Sequence, residues 1–303
     1  AWPKFGHDLN NTGQSPHISA QTNTTKWVFT SATKPFYYAN PVIGPDGTVY
    51  VGNYNNLIMG IYPNGTLKWS NSINSATDYM YGSMAIASDG TLYFGNIQRW
   101  IFAVYSENGS RIWRAPTTSR GSQSIYGSPA IGSDGTIYFG SNGIYALNSN
   151  AGTLNWKNTT ATKSNYATPG IGSDGTIYIG SQTTSTMYAY NSDGSPKWSY
   201  PTGGGIYGSA VIGSDGIIYF GSTDGNVYAL NTDGTLKWRF TAGGSFEKGS
   251  PAIGSDGTVY IGNYGDNNVY ALKPDGTLKW TFLTGGAIEG TPALGADGTV
   301  YIG

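Results

Sequence analysis

Histidine and cysteine, the side chains that most often do chemistry, are almost missing from this chain. Its 303 residues contain two histidines, His7 and His17, both near the N-terminus, and no cysteine. A histidine-based triad, a histidine or thiolate metal cluster and a cysteine nucleophile therefore cannot be built from the body of the chain. Carboxylates come next. Among 17 acidic residues, Asp46, Asp89, Asp134, Asp174, Asp215, Asp256 and Asp297 precede glycine in one recurring phrase, and Asp193, Asp233 and Asp275 do so in a second. Asp-Gly between alternating apolar residues signals a hairpin, because both central residues of a type I′ turn need positive φ. These aspartates are expected to be turn residues, with no call on calcium. Asp78, Asp224, Glu247, Asp266 and Glu289 fall instead on the opposite loops. Glu247 and Glu289 can be pictured as paired carboxylates for glycoside hydrolysis, but nothing linear fixes their separation. No catalytic residue and no metal ligand is assigned.

A recurring register is more informative. Three residues before the Pro/Ala position of each repeat's first apolar run stand Tyr38, Tyr81, Tyr126, Tyr166 and Tyr207, then Lys248 and Glu289. If the repeats close around an axis, these residues form a broken tyrosine ring completed by an ion-pair-capable Lys and Glu. Such a ring is either a ligand platform, offering apolar faces and hydroxyls, or a packing device propagated by the repeat. Trp100, beside Arg99, is a lone aromatic candidate for stacking at the edge of a strand.

The elements that must position these residues are legible in the repeat. The first-phrase aspartates are spaced 43, 45, 40, 41, 41 and 41 residues apart. A second phrase, as in "YALNTDGTLKW", ends each time in tryptophan: Trp27, Trp69, Trp113, Trp156, Trp198, Trp238 and Trp280. A period of this length without helical periodicity fits four-stranded propeller blades. Each period holds four strand-like runs, such as "SPAIG", "GTVYIG", "NVYAL" and "GTLKWTF", separated by Gly, Asp and Asn. The third position of the first run is always small (Val42, Ala85, Ala130, Gly170, Val211, Ala252, Ala293), which suits the innermost strand where sheets converge. The tryptophan strand is then outermost. Both tight hairpins open on one face, and the longer connections, "NSINSATDYMYG", "APTTSRGSQSIYG" and "NTTATKSNYAT" among them, open on the other.

The fold expected is all-β: a propeller with seven four-stranded blades, or eight if the chain continues further. Residues 27–303 form the propeller and residues 1–26 pack on or complete the last blade. An N-terminal strand around Trp27 is expected to close the ring, because the seventh repeat reads only two strands before Gly303.

Charged residues make up 11% of the chain and the net charge is -1, which offers no basic field for nucleic acid. No apolar run is long enough to span a membrane. Five sequons, at Asn10, Asn23, Asn64, Asn108 and Asn158, are candidate glycosylation sites in an exported protein. The composition leans toward an extracellular or cell-surface protein whose export signal has been removed.

The phrases "VYALNTDGTLKW" and "DGTVYIG", with the opening "WPKFGHDLNNTGQSP", resemble the PQQ-like repeat family over essentially the whole chain. That family includes quinoprotein dehydrogenases, the propeller lipoprotein of outer-membrane assembly and many secreted bacterial and archaeal proteins. The resemblance implies that the repeat tryptophans are docking residues. In the dehydrogenases it would also imply a quinone held against a tryptophan and a vicinal cysteine pair, with calcium or a lanthanide nearby. Cysteine is absent here, so no cofactor is expected, neither PQQ nor calcium. The expectation is a non-enzymatic scaffold binding a cell-envelope glycan or surface protein through its loop face. Two alternatives are a surface-layer or filament subunit that self-assembles by strand sharing, and a degenerate or quinone-dependent dehydrogenase-like protein.

Overall fold

Alternation of apolar and polar residues, with β-branched and aromatic side chains throughout, produces antiparallel strands in the order that each repeat from residue 42 onward predicts. A computed structural model describes residue 8 and residues 24–30, 40–52, 57–72, 80–117, 124–161, 163–164 and 166–303. Among these there is no helix. In blade six, Ala252–Ile253, Val259–Gly262, Asn268–Leu272 and Leu278–Leu283 pair in that order. Five earlier sheets of the same plan cover 42–72, 85–116, 130–158, 170–201 and 211–241. A seventh sheet has two strands, Ala293–Leu294 and Val300–Tyr301.

Thr24–Thr30, expected to be the closing strand, joins no ladder. An outer strand pairs with a third strand, and the last sheet presents none among the described residues. His7, His17, Asn10, Asn23, Tyr38 and Asp78 lie outside the described residues.

The hairpins form where Asp-Gly and Asn-Gly predict them, but with a different turn. In Gly254-Ser255-Asp256-Gly257 the Gly257 N–H donates to Gly254 O, and the Gly254 N–H donates to Thr258 O. Glycine alone takes a positive φ there, +77° at Gly257, while Asp256 does not. This is a type I turn with a G1 bulge, not type I′. The aspartate explains the difference: Asp256 Oδ1 accepts the Thr258 N–H at 3.0 Å and Oδ2 accepts the Thr258 hydroxyl at 2.8 Å. That clamp holds Asp256 at negative φ and leaves the left-handed position to glycine.

The repeat tryptophans from Trp69 to Trp280 sit on the outermost strands opposite a small residue: Gly60 faces Trp69, Ala189 faces Trp198 and Ala271 faces Trp280. The indole lies across that small residue toward a second-strand tyrosine, as in the 5.6 Å Tyr178–Trp198 pair. It also reaches the next blade. Trp198 Nε1 donates to Thr232 O at 2.9 Å, and a Cβ on Gly234 would come within 2.6 Å of the indole. The same indole-to-turn bond joins Trp27 to Pro63 O, Trp69 to Ser106 O, Trp113 to Ser149 O, Trp156 to Ser192 O and Trp238 to Pro274 O. Trp27 thus docks on blade one without belonging to a strand. Trp280 has no such carbonyl among the described residues, and its strand is exposed along its whole length. The hydrophobic core lies between successive sheets: one cluster joins Val42, Tyr50 and Ile58 to Met84, Leu92 and Phe102.

Candidate binding face at the central cavity

The segment entering each first strand carries a three-residue unit, clearest as Tyr81-Gly82-Ser83, Tyr126-Gly127-Ser128 and Tyr207-Gly208-Ser209. Tyr166-Ala167-Thr168, Lys248-Gly249-Ser250 and Glu289-Gly290-Thr291 are its variants. Every position of the unit has its own role.

The third residue links the blades. Asn40 N–H donates to Ser83 Oγ at 3.1 Å, Ser83 N–H to Ser128 Oγ at 3.0 Å, and Ser128 N–H to Thr168 Oγ1 at 3.1 Å. The chain continues from Thr168 to Ser209 at 2.8 Å, from Ser209 to Ser250 at 2.7 Å, and from Ser250 to Thr291 at 3.1 Å. Six bonds therefore run through seven successive sheets, the last of them two-stranded. Sequence reasoning missed this girdle, although a hydroxyl residue stands before the first strand in six of the seven repeats. The middle residue allows the close approach: a Cβ on Gly82 would lie 2.6 Å from Gly127 O, and one on Gly208 would lie 2.6 Å from Gly249 O.

The first residue forms the rim. Tyr81 and Tyr126 meet edge to face at 5.1 Å, Tyr126 and Tyr166 stack at 4.6 Å, and Tyr166 and Tyr207 are tilted at 6.0 Å. Lys248 Nζ lies 3.0 Å from both Glu289 carboxylate oxygens. The expected register is therefore one arc of four described tyrosines followed by an ion pair. Tyr81, Tyr126, Tyr166, Lys248 and Glu289 line a cavity of about 800 Å³ whose wall includes all seven girdle residues, Asn40 among them. Tyr207 continues the arc but is not part of the cavity wall.

Other candidates lie elsewhere. Trp100 is the first residue of the strand Trp100–Tyr105, with the Arg114 guanidinium 4.5 Å over its ring. It packs on the core between blades one and two, away from the cavity. Asn64 and Asn108 occupy exposed hairpin turns, where each side chain accepts the N–H two residues on, at 3.0 and 2.8 Å. Asn158 is half-buried and donates to Gly194 O at 3.3 Å.

Two loop-face acids, Asp224 and Asp266, hold the loops. Asp224 Oδ2 accepts the Tyr228 hydroxyl at 2.6 Å and the Gly203 N–H at 2.8 Å, and Asp266 accepts the Tyr270 hydroxyl and the Gly243 N–H. Burial, with the bond to Asp224, pushes the Tyr228 phenol up to about 12. Glu289 is taken up by Lys248. Among the described residues no group of three His, Cys, Asp or Glu side chains is placed to hold a metal ion.

The sequence matches a family model described as outer membrane protein assembly factor BamB, in overlapping stretches 12–200, 140–281 and 223–303. The chain belongs to this family. Among solved structures, BamB from Moraxella catarrhalis aligns with this PQQ-type repeat propeller at TM-score 0.57 and 18% identity, covering 90% of this chain and 98% of that one. A europium-containing methanol dehydrogenase aligns at TM-score 0.71 and 13% identity, over 99% of this chain and 88% of its own. Quinohemoprotein alcohol dehydrogenase from Comamonas testosteroni gives 0.66 and 14%, over 99% and 76%. At such identities the likeness establishes the propeller fold and leaves the activity open. No curated protein matches the sequence.

Proposed function

We propose that this BamB-type propeller is a non-catalytic binding scaffold of the cell envelope or cell surface, engaging a protein or glycan partner at the mouth of its central cavity. The observation that carries this reading is the arc of Tyr81, Tyr126, Tyr166 and Tyr207 completed by Lys248–Glu289. Large amphipathic rings on a rigid rim are suited to contact at low entropic cost. The family model supports a scaffold role, being described by assembly of outer membrane proteins rather than by a reaction. To test it, immobilised wild type and a Tyr81→Ala/Tyr126→Ala/Tyr207→Ala variant are compared for retention of an envelope fraction from the source cells. Loss of retained material with an unchanged circular dichroism spectrum supports the site; equal retention by both proteins overturns it.

A second reading, self-assembly, is favoured by the outer strand Leu278–Leu283. Phe282 and Leu283 are 63% and 67% exposed there, and among the described residues the Trp280 indole lacks the carbonyl that every earlier docking tryptophan finds. Such an edge can accept a strand pair from a second chain. Light scattering over a concentration series separates the readings, since only strand sharing makes the mass rise with concentration.

A further inference from the structure

We infer that the occupant of the cavity mouth is a neutral saccharide; this rests on the binding-face reading above and names its ligand class. Three observations point the same way. The first is the girdle. Ser83, Ser128, Thr168, Ser209 and Ser250 are each at most 3% exposed and line the cavity. Each hydroxyl oxygen receives a backbone N–H from the preceding blade. No acceptor for their O–H hydrogens stands among the described residues. A hydroxyl holds one donor and two lone pairs, so each of these wall side chains keeps a donor and a lone pair that the girdle does not use. A polyol complements such a lining because its own hydroxyls also do both.

Charge is the second observation. Among the described residues of the cavity wall, the charged side chains are Lys248 and Glu289, which pair at 3.0 Å. That pair offers no net charge to select a phosphate, an acidic glycan or a basic segment. The third is the backbone. A peptide that binds by strand addition needs unpaired N–H and C=O groups along an edge. Around this axis the N–H groups of Asn40, Ser83, Ser128, Thr168, Ser209 and Ser250 are already taken by hydroxyls. What remains is ring surface, with Tyr166 38% exposed at the rim, and hydroxyls below it. Apolar ring faces suit the C–H faces of a sugar, and about 800 Å³ lies within the ~300–1,000 Å³ of small-molecule clefts.

The test uses the full chain in saturation-transfer NMR and calorimetry. Probes are maltose, cellobiose and N,N′-diacetylchitobiose, with a uronic-acid disaccharide and a mixed tripeptide library for comparison. At least one neutral disaccharide should show transfer to its ring C–H protons and bind at least about tenfold more tightly to wild type than to Tyr166→Ala. Tyr166→Phe, which keeps the ring, should bind like wild type. Should Tyr166→Ala fail to fold, displacement of the disaccharide signal by its hexa-saccharide serves in its place, because two ligands of one site exclude each other. If only the acidic disaccharide or the peptides bind in a Tyr166-dependent way, the saccharide inference fails and the binding-face reading stands. If no probe binds and the envelope fraction is retained equally by the tyrosine variant, both fail.

Discussion

In most blades three adjacent residues divide the work at the axis: a rim side chain, a small residue, usually glycine, under the next blade's carbonyl and a hydroxyl that joins neighbouring strands. Removing one hydroxyl strands a buried N–H. Ser128→Ala leaves the Ser83 N–H, now bonded at 3.0 Å, without an acceptor, and should destabilise the protein by about 1–3 kcal/mol. Ser128→Thr, the residue type already present at 168, should fall within about 0.5 kcal/mol of wild type in urea denaturation. Gly82→Ala places a methyl group 2.6 Å from Gly127 O and should cost about 1–3 kcal/mol through overpacking, measured in the same way. The tyrosine positions were legible in the sequence because their spacing follows the repeat. Their mutual contacts were not, since they join residues 40 to 45 positions apart.

At the level of the blade, the outer strand and the two hairpins form one docking device. Trp198→Phe keeps a ring over Gly234 but loses the 2.9 Å bond to Thr232 O, for an expected loss of about 1 kcal/mol. Trp198→Ala also vacates the space between blades four and five and should reach about 3 kcal/mol or more. Similar melting temperatures for the two variants would show that the indole is not packed as described. The first hairpin adds a pH dependence. The Lys279 ammonium at 2.9 Å, then the Thr258 N–H and hydroxyl, hold the Asp256 carboxyl at about 2, below its ordinary 3.8. A depressed carboxyl contributes stability that is complete above the unfolded value and is lost as pH falls through the folded one. Urea midpoints should therefore be flat with respect to this group above pH ~4 and fall between there and about pH 2. Asp256→Asn should be less steep over that window. The change should be small, because the Asp256 side chain is 55% exposed. The sequence located these turns correctly. It misassigned their type because Asp-Gly suits both a two-residue turn and a bulged one, and the Asp256–Thr258 clamp decides between them.

Across the whole molecule, chemically equivalent residues differ according to what covers them. Phe240 in blade five packs against Tyr270 of blade six at 5.5 Å; its counterpart Phe282 in blade six is 63% exposed. Phe240→Ser should lower stability by about 1.5–3 kcal/mol, whereas Phe282→Ser should stay within about 0.5 kcal/mol. Equal losses by chemical denaturation would mean that another surface covers the outer strand of blade six in solution. By itself the sequence determined the local structure: strand alternation, Gly at the left-handed turn positions, the 40- to 45-residue period and the docking tryptophans. These depend on neighbours along the chain or on a repeat unit that copies its own environment. Tertiary structure alone decided which residues meet around the axis. It formed the girdle from Asn40 to Thr291, stacked Tyr126 on Tyr166, placed Trp100 beneath Arg114 and left Thr24–Thr30 outside any ladder. Each of those outcomes depends on the distance between blades, a property of how whole sheets pack that no single repeat encodes.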